Sequence, residues 1–163
     1  MKSFDYHPRT RVVFGNHSLD RLGELAKELD AKRVLLVSDP GIVEAGHTNR
    51  GAESLRSAGL DVFLFAKVEE NPTTLHVDAG VEFAKAHRID FIVGLGGGSS
   101  MDCARGINFL LTNGGKMQDY WGLGKAGKAM LPMIAVPTTA GTGSEAQSFA
   151  LIADENTHQK MAC

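Results

Sequence analysis

Phe91-Ile92-Val93-Gly94-Leu95-Gly96-Gly97-Gly98-Ser99-Ser100-Met101-Asp102 is the stretch whose reading decides the fold. An apolar run, Phe91 to Leu95, is followed by three glycines and two serines, and then by a helix-like run from Cys103 to Leu111. Strand, glycine turn and helix is how an α/β chain builds an anion cradle. Glycines let backbone N–H groups approach a phosphate, and the helix N-terminus adds partial positive charge. The spacing is neither of the two common phosphate motifs. Gly94-x-Gly96-x-x-Ser99 stands in place of G-x-G-x-x-G, and no Gly-Lys-Ser/Thr follows. A plain tight turn is the competing reading; the buried strand before it and the serines at the helix start favour phosphate.

Outward from this stretch, apolar runs alternate with amphipathic ones. Arg11-Val12-Val13-Phe14 is expected to form a first strand, and Ser18 to cap a helix carrying Leu19, Leu22, Leu25, Ala26 and Leu29. Val34-Leu35-Leu36-Val37 predicts a strand covered on both faces, ended by the turn Ser38-Asp39-Pro40-Gly41. A helix over 43–58, a strand over 61–68 and a helix begun by Asn71-Pro72-Thr73-Thr74 follow. The helix after the glycine turn stops at Asn113-Gly114-Gly115. Tyr120-Trp121-Gly122 reads as a loop whose aromatics close an edge of the core. Met133 to Val136 is a further strand, and 148–163 reads as a hairpin turning at Asp154-Glu155-Asn156-Thr157. This alternation predicts an α/β fold: a Rossmann-like, doubly wound, mostly parallel sheet with a C-terminal β-hairpin, all in one domain spanning 1–163.

Two further segments can serve a nucleotide. Asp39 ends the second expected strand, where an acid can accept hydrogen bonds from an adenosine ribose and repel a 2′-phosphate. An Asx turn with Pro40-Gly41 explains the same residue equally well. Asp39 also precedes the glycine turn, whereas the usual acid follows it by ~20 residues. Pro137-Thr138-Thr139-Ala140-Gly141-Thr142-Gly143-Ser144-Glu145 offers hydroxyl donors and glycines after a buried strand, though a bland polar loop has the same composition.

Composition narrows the rest. The 163 residues suffice for one core, and 43% hydrophobic with 22% charged residues is ordinary globular usage. A net charge of −2 argues against nucleic acid as the main partner. No run approaches the ~20 apolar residues of a membrane span, and the first residues lack a signal-peptide pattern. Cys103 and Cys163 form no CxxC motif and read as inert thiols in a reducing, cytoplasmic setting. The six histidines show no HxxxH or HExxH spacing, and Gly143-Ser144-Glu145 is not a nucleophile elbow. No catalytic residue and no metal ligand is assigned.

Together these motifs resemble the iron-containing (group III) alcohol dehydrogenase family. The resemblance rests on Gly96 to Asp102 and Pro137 to Glu145, with Phe14-Gly15, Ser38-Asp39 and Asn71-Pro72-Thr73 in matching places. It covers essentially the whole chain. It also accounts for the early acid, because this family's adenosine-side Asp precedes its glycine turn. The resemblance implies NAD as cofactor, with Asp39 at the ribose and Gly97, Gly98 and Ser99 at the pyrophosphate. Ser100 and Asp102 belong to the same cofactor motif. Thr138, Thr139 and Thr142 would line the cleft, and Asn71, Phe149, Leu151 and Lys160 match further cofactor-side positions.

The family has a second, all-helical domain that carries an Asp and three His for Fe(II), sometimes Zn(II). Those ligands have no counterparts here, so the metal belongs only to an intact two-domain enzyme, and no turnover is expected of this chain alone. NAD binding is expected to be weakened. Two other readings stay open. One is a free-standing module that self-associates, as a dimer or larger homo-oligomer, through an exposed apolar face or the N-terminal strand. The other is a relative of glycerol dehydrogenase or dehydroquinate synthase.

Overall fold

The computed structural model describes residues 10–163. Its centre is a four-stranded, all-parallel sheet built from β1 (Arg33–Val37), β2 (Asp61–Phe65), β3 (Phe91–Gly96) and β4 (Met133–Pro137), in the order β2-β1-β3-β4. Val37 pairs with Phe65 on one side and with Gly94 on the other, and Gly96 pairs with Pro137. The chain leaves β1 toward one edge and leaves β3 toward the other. The carboxyl ends of β1 and β3 therefore form the switch point, where open α/β sheets leave a crevice.

Alternation along the inner strands divides the core in two. Val34 and Leu36, with Phe91, Val93 and Leu95, face α1 (Leu22–Glu28) and α3 (His47–Ser57). Leu35, Val37 and Ile92 face α4 (Thr74–Ala86), α5 (Gly98–Asn113) and the hairpin. Both faces are covered, which is why β1 and β3 read as unbroken apolar runs. The hairpin pairs β5 (Leu151–Ala153) with β6 (Lys160–Ala162) and buries Ile152 and Met161 in the α5-side core. Asp154 makes its turn, with Oδ1 accepting from the Asn156 and Thr157 amides at 3.0 and 2.9 Å.

Several expectations change. Residues 11–14 are not a strand. They have no ladder partner among the described residues, and Val12 and Phe14 are 78% and 99% exposed. A three-residue apolar run, Val12 to Phe14, looks the same paired or unpaired, so periodicity could not decide. Ser18 is no side-chain cap; it opens a 3-10 turn, Ser18–Arg21, that leads into α1. The helix expected over 43–58 is two helices, α2 (Pro40–Glu44) and α3, broken at Gly46, whose φ of 80° is left-handed. The strand expected to reach Val68 ends at Phe65, though Val68 is still buried and its amide donates to Ser38 O. Tyr120 does close a core edge, 5.7 Å from the Phe109 ring, while Trp121 lies outside it.

Candidate functional site

Serine chemistry ties the strand ends together at the switch point. The buried Ser38 donates its hydroxyl to Leu95 O at 2.7 Å, and its amide donates to Phe65 O at 3.0 Å. The next residue, Asp39, caps α2 through Oδ1, which accepts from the Ile42 amide at 3.0 Å. Its Oδ2 accepts from the Ser100 hydroxyl at 2.9 Å. The local turn is thus realised, and it leaves the carboxylate held beside the glycine turn.

The turn itself is tight. Gly96 has φ of 151°, and a Cβ there would lie 2.5 Å from Ser100 Oγ and 3.0 Å from Asp39 Oδ2. Gly97 precedes the 16-residue helix α5 with no side-chain cap, and the first helical bond is Met101 N–H to Gly97 O at 3.2 Å. The leading amides of α5 therefore lack intrahelical acceptors, and the helix dipole points its positive end at the same spot. At Gly97 an added Cβ would meet only Thr139, 3.7 Å away. An open turn lined by free amides of this kind is a cradle that can accept an anion.

The 138–145 loop lies across that cradle. The Thr138 amide donates to Gly96 O at 2.9 Å, and the Ser144 amide donates to Thr142 Oγ1 at 3.4 Å. Thr138, Thr139 and Thr142 are exposed, whereas Ser144 is buried, with its hydroxyl 2.9 Å from where a Gly98 Cβ would stand. On the opposite side, Asn71, Ser99, Asp102, Leu151 and Lys160 line one cavity of about 60 Å³. Lys160 Nζ donates to Asn71 Oδ1 at 2.6 Å, and the Asn71 amide donates to Ser99 Oγ at 3.3 Å. Phe149 is half-buried just before β5 and does not line this cavity. A broader, open depression of about 880 Å³ lies between α1 and α3, around Glu24 and Arg50, and shares no residue with the turn.

Sequence reasoning did not single out Arg105. It is buried one helical turn after Asp102, with Nη1 at 3.3 Å from Asp102 Oδ1, and it donates through Nη2 to Ser144 O. Burial pushes the Asp102 carboxyl up and the Arg105 guanidinium down, their attraction offsetting only part of that cost. The signal available was an Asp-x-x-Arg pair inside an otherwise apolar helix. Among the described residues, no group of three or more His, Cys, Asp or Glu side chains is placed to hold a metal ion, so a catalytic metal does not fit them.

A parallel sheet with a glycine-led, uncapped helix at its switch point defines a Rossmann-like α/β protein of the nucleotide-binding class. More narrowly, the chain belongs to the iron-containing alcohol dehydrogenase family, whose model matches residues 8–163. It is 43% identical over 150 residues to alcohol dehydrogenase 4 of Schizosaccharomyces pombe, covering 92% of this chain and 36% of that protein. It is 38% identical over 149 residues to the NAD-dependent methanol dehydrogenase of Bacillus methanolicus, covering 91% and 39%. A crystal structure of 1,3-propanediol oxidoreductase superposes with a TM-score of 0.92 at 34% identity, covering 99% of this chain and 42% of that one. The chain thus spans about two-fifths of the length of the relatives it matches.

Proposed function

We propose that residues 1–163 form one dinucleotide-holding unit of an NAD-dependent, iron-containing alcohol dehydrogenase. The observation that carries this reading is the uncapped start of α5 at the switch point, with the Asp39 carboxylate beside it. The amides at Gly97, Gly98 and Ser99 hold the pyrophosphate, and Asp39 accepts from the adenosine ribose. Thr138, Thr139, Thr142 and Phe149 line one wall of the cleft. Asn71, Asp102, Leu151 and Lys160 line the other, while Ser100 holds Asp39 in place. The bound cofactor supplies a hydride acceptor for an alcohol, and these residues bind and orient it. The metal that would polarise the alcohol oxygen in a complete enzyme has no ligand set among the described residues.

Calorimetric titration of the chain with NAD+ tests the proposal. Saturable binding that is lost on blocking the cradle is the expected result, and absence of binding at millimolar NAD+ overturns it. With NAD+, ethanol or propanediol, and Fe(II) or Zn(II), no growth of NADH absorbance is expected. Turnover would refute the assignment of a half-site.

A second reading, a self-associating module, is favoured by the exposure of Val12, Phe14 and, at 94%, Leu123. Sedimentation would read a concentration-dependent dimer that Phe14→Ser weakens. The free, buried thiols of Cys103 and Cys163 are the support for placing the chain in a reducing, cytoplasmic setting.

A further inference from the structure

We infer that Arg105 is a positioning residue, which clamps the 138–145 loop onto α5 and so sets the pyrophosphate and nicotinamide side of the cleft. The inference rests on the nucleotide-binding reading above. Arg105 itself reaches no ligand position. It is 6% exposed, and both of its side-chain partners are internal: Asp102, itself 7% exposed, and the Ser144 carbonyl.

The two partners lie on opposite walls. Ser144 closes the threonine loop and packs its hydroxyl over Gly98. Asp102 faces the cavity shared by Asn71, Ser99, Leu151 and Lys160. One buried guanidinium therefore links the loop after β4, the second turn of α5 and the hairpin wall. Elsewhere the loop is held to the turn by one backbone bond, Thr138 N–H to Gly96 O, at its far end. Without the Ser144 anchor, Thr139 and Thr142 would lose their fixed place over the cradle. Guanidinium suits the task because its planar fork can serve a carbonyl and a carboxylate together, which an ammonium on a lysine stem cannot do in the same geometry.

The test must separate loop placement from stability. Removing Arg105 alone leaves the Asp102 carboxylate buried and unpaired, which is strongly destabilising. The informative variant is therefore Asp102→Asn with Arg105→Met, compared with Asp102→Asn alone; Arg105→Lys in the otherwise unchanged chain is the second probe. Each is titrated with NAD+ and with adenosine, which carries no phosphate and reaches only the adenosine side at Asp39. Amide exchange is followed over 138–145.

Relative to Asp102→Asn, the double variant should lose about tenfold in NAD+ affinity, the worth of one charge-assisted hydrogen bond. Its adenosine affinity should be unchanged, and loop amides should exchange faster. Arg105→Lys should recover part of the NAD+ affinity. Equal NAD+ affinity in the two backgrounds, or parallel loss of NAD+ and adenosine, overturns the inference and leaves the nucleotide reading intact. If the double variant fails to fold, Arg105→Lys with an unaltered NAD+ to adenosine affinity ratio overturns it instead. Failure of the unmodified chain to bind either ligand removes the nucleotide reading and this inference with it.

Discussion

Ser100 donates its hydroxyl to Asp39 Oδ2 at 2.9 Å, bridging the turns that follow β1 and β3 across 61 positions of sequence. The carboxylate thus has one oxygen committed to the α2 cap and the other to the first turn of α5. On the proposed NAD-binding reading, a carboxylate here would oppose a ribose 2′-phosphate. Asp39→Asn should therefore raise NADP+ affinity relative to NAD+ by about tenfold, as removal of one partly screened repulsion implies. Ser100→Ala should cost about 1 kcal/mol in urea unfolding, the worth of an ordinary hydrogen bond. Fluorescence titration with both cofactors reads the first effect. An unchanged ratio would remove Asp39 from the ribose.

Gly96 and Gly97 are adjacent, yet their substitution should separate folding from binding. An alanine Cβ at Gly96 runs into Ser100 and Asp39, and the backbone there has φ of 151°. Gly96→Ala should lose roughly 1–3 kcal/mol of stability. At Gly97 the methyl meets nothing nearer than 3.7 Å. Gly97→Ala should melt within a few degrees of the parent, yet bind NAD+ at least about tenfold more weakly by filling phosphate space. Equal NAD+ affinity in the parent and Gly97→Ala chains would count against the cradle.

Asp102 gives stability a pH signature. Burial raises its carboxyl pKa in the folded chain, more than the Arg105 attraction lowers it. The folded state therefore binds this proton more tightly than the unfolded state. The group's contribution is full below the ordinary carboxylate range and is lost as pH rises through the raised folded value. Asp102→Asn removes that titration. Urea midpoints across mildly acidic pH should show the parent losing ground to the variant as pH increases. A gap that is flat, or that moves the other way, contradicts the raised pKa.

Cys103 sits in the interior of α5, and burial pushes its thiol up to about 12. Cys163 is also raised by burial, and its Sγ contacts Met117 O at 3.5 Å. Neither should supply thiolate at neutral pH. A disulfide reagent added to the native chain should label both only as fast as the chain opens, and at once in denaturant. Rapid native labelling of Cys103 would mean that α5 does not stay packed.

What the sequence disclosed follows from burial on both faces. β1 and β3 were legible because a strand covered twice must be apolar throughout, and the glycine turn because its position between strand and helix restricts its use. Residues 11–14 misled for the converse reason: an apolar run states an affinity for burial and not whether a partner exists. Gly46 divides a helix that composition alone would carry through. At the site, Asp39 admitted two readings, and its two carboxylate oxygens show why: one serves the local turn and the other a helix far along the chain. Arg105 stayed hidden because its acceptor is a backbone carbonyl 39 positions away, on a residue whose side chain carries no hint of the contact.

Lys160 and Asn71 meet across 89 positions of sequence. Two strands of the parallel sheet, β3 and β4, lie between them in sequence, and β1 and β2 precede both. Closing a loop that long costs chain entropy before its contacts repay it. The cavity they line is accordingly a product of completed assembly, present only when the hairpin has docked. A ligand seated there would bind the finished architecture alone, and its apparent dissociation constant would rise as the folded fraction of the population falls.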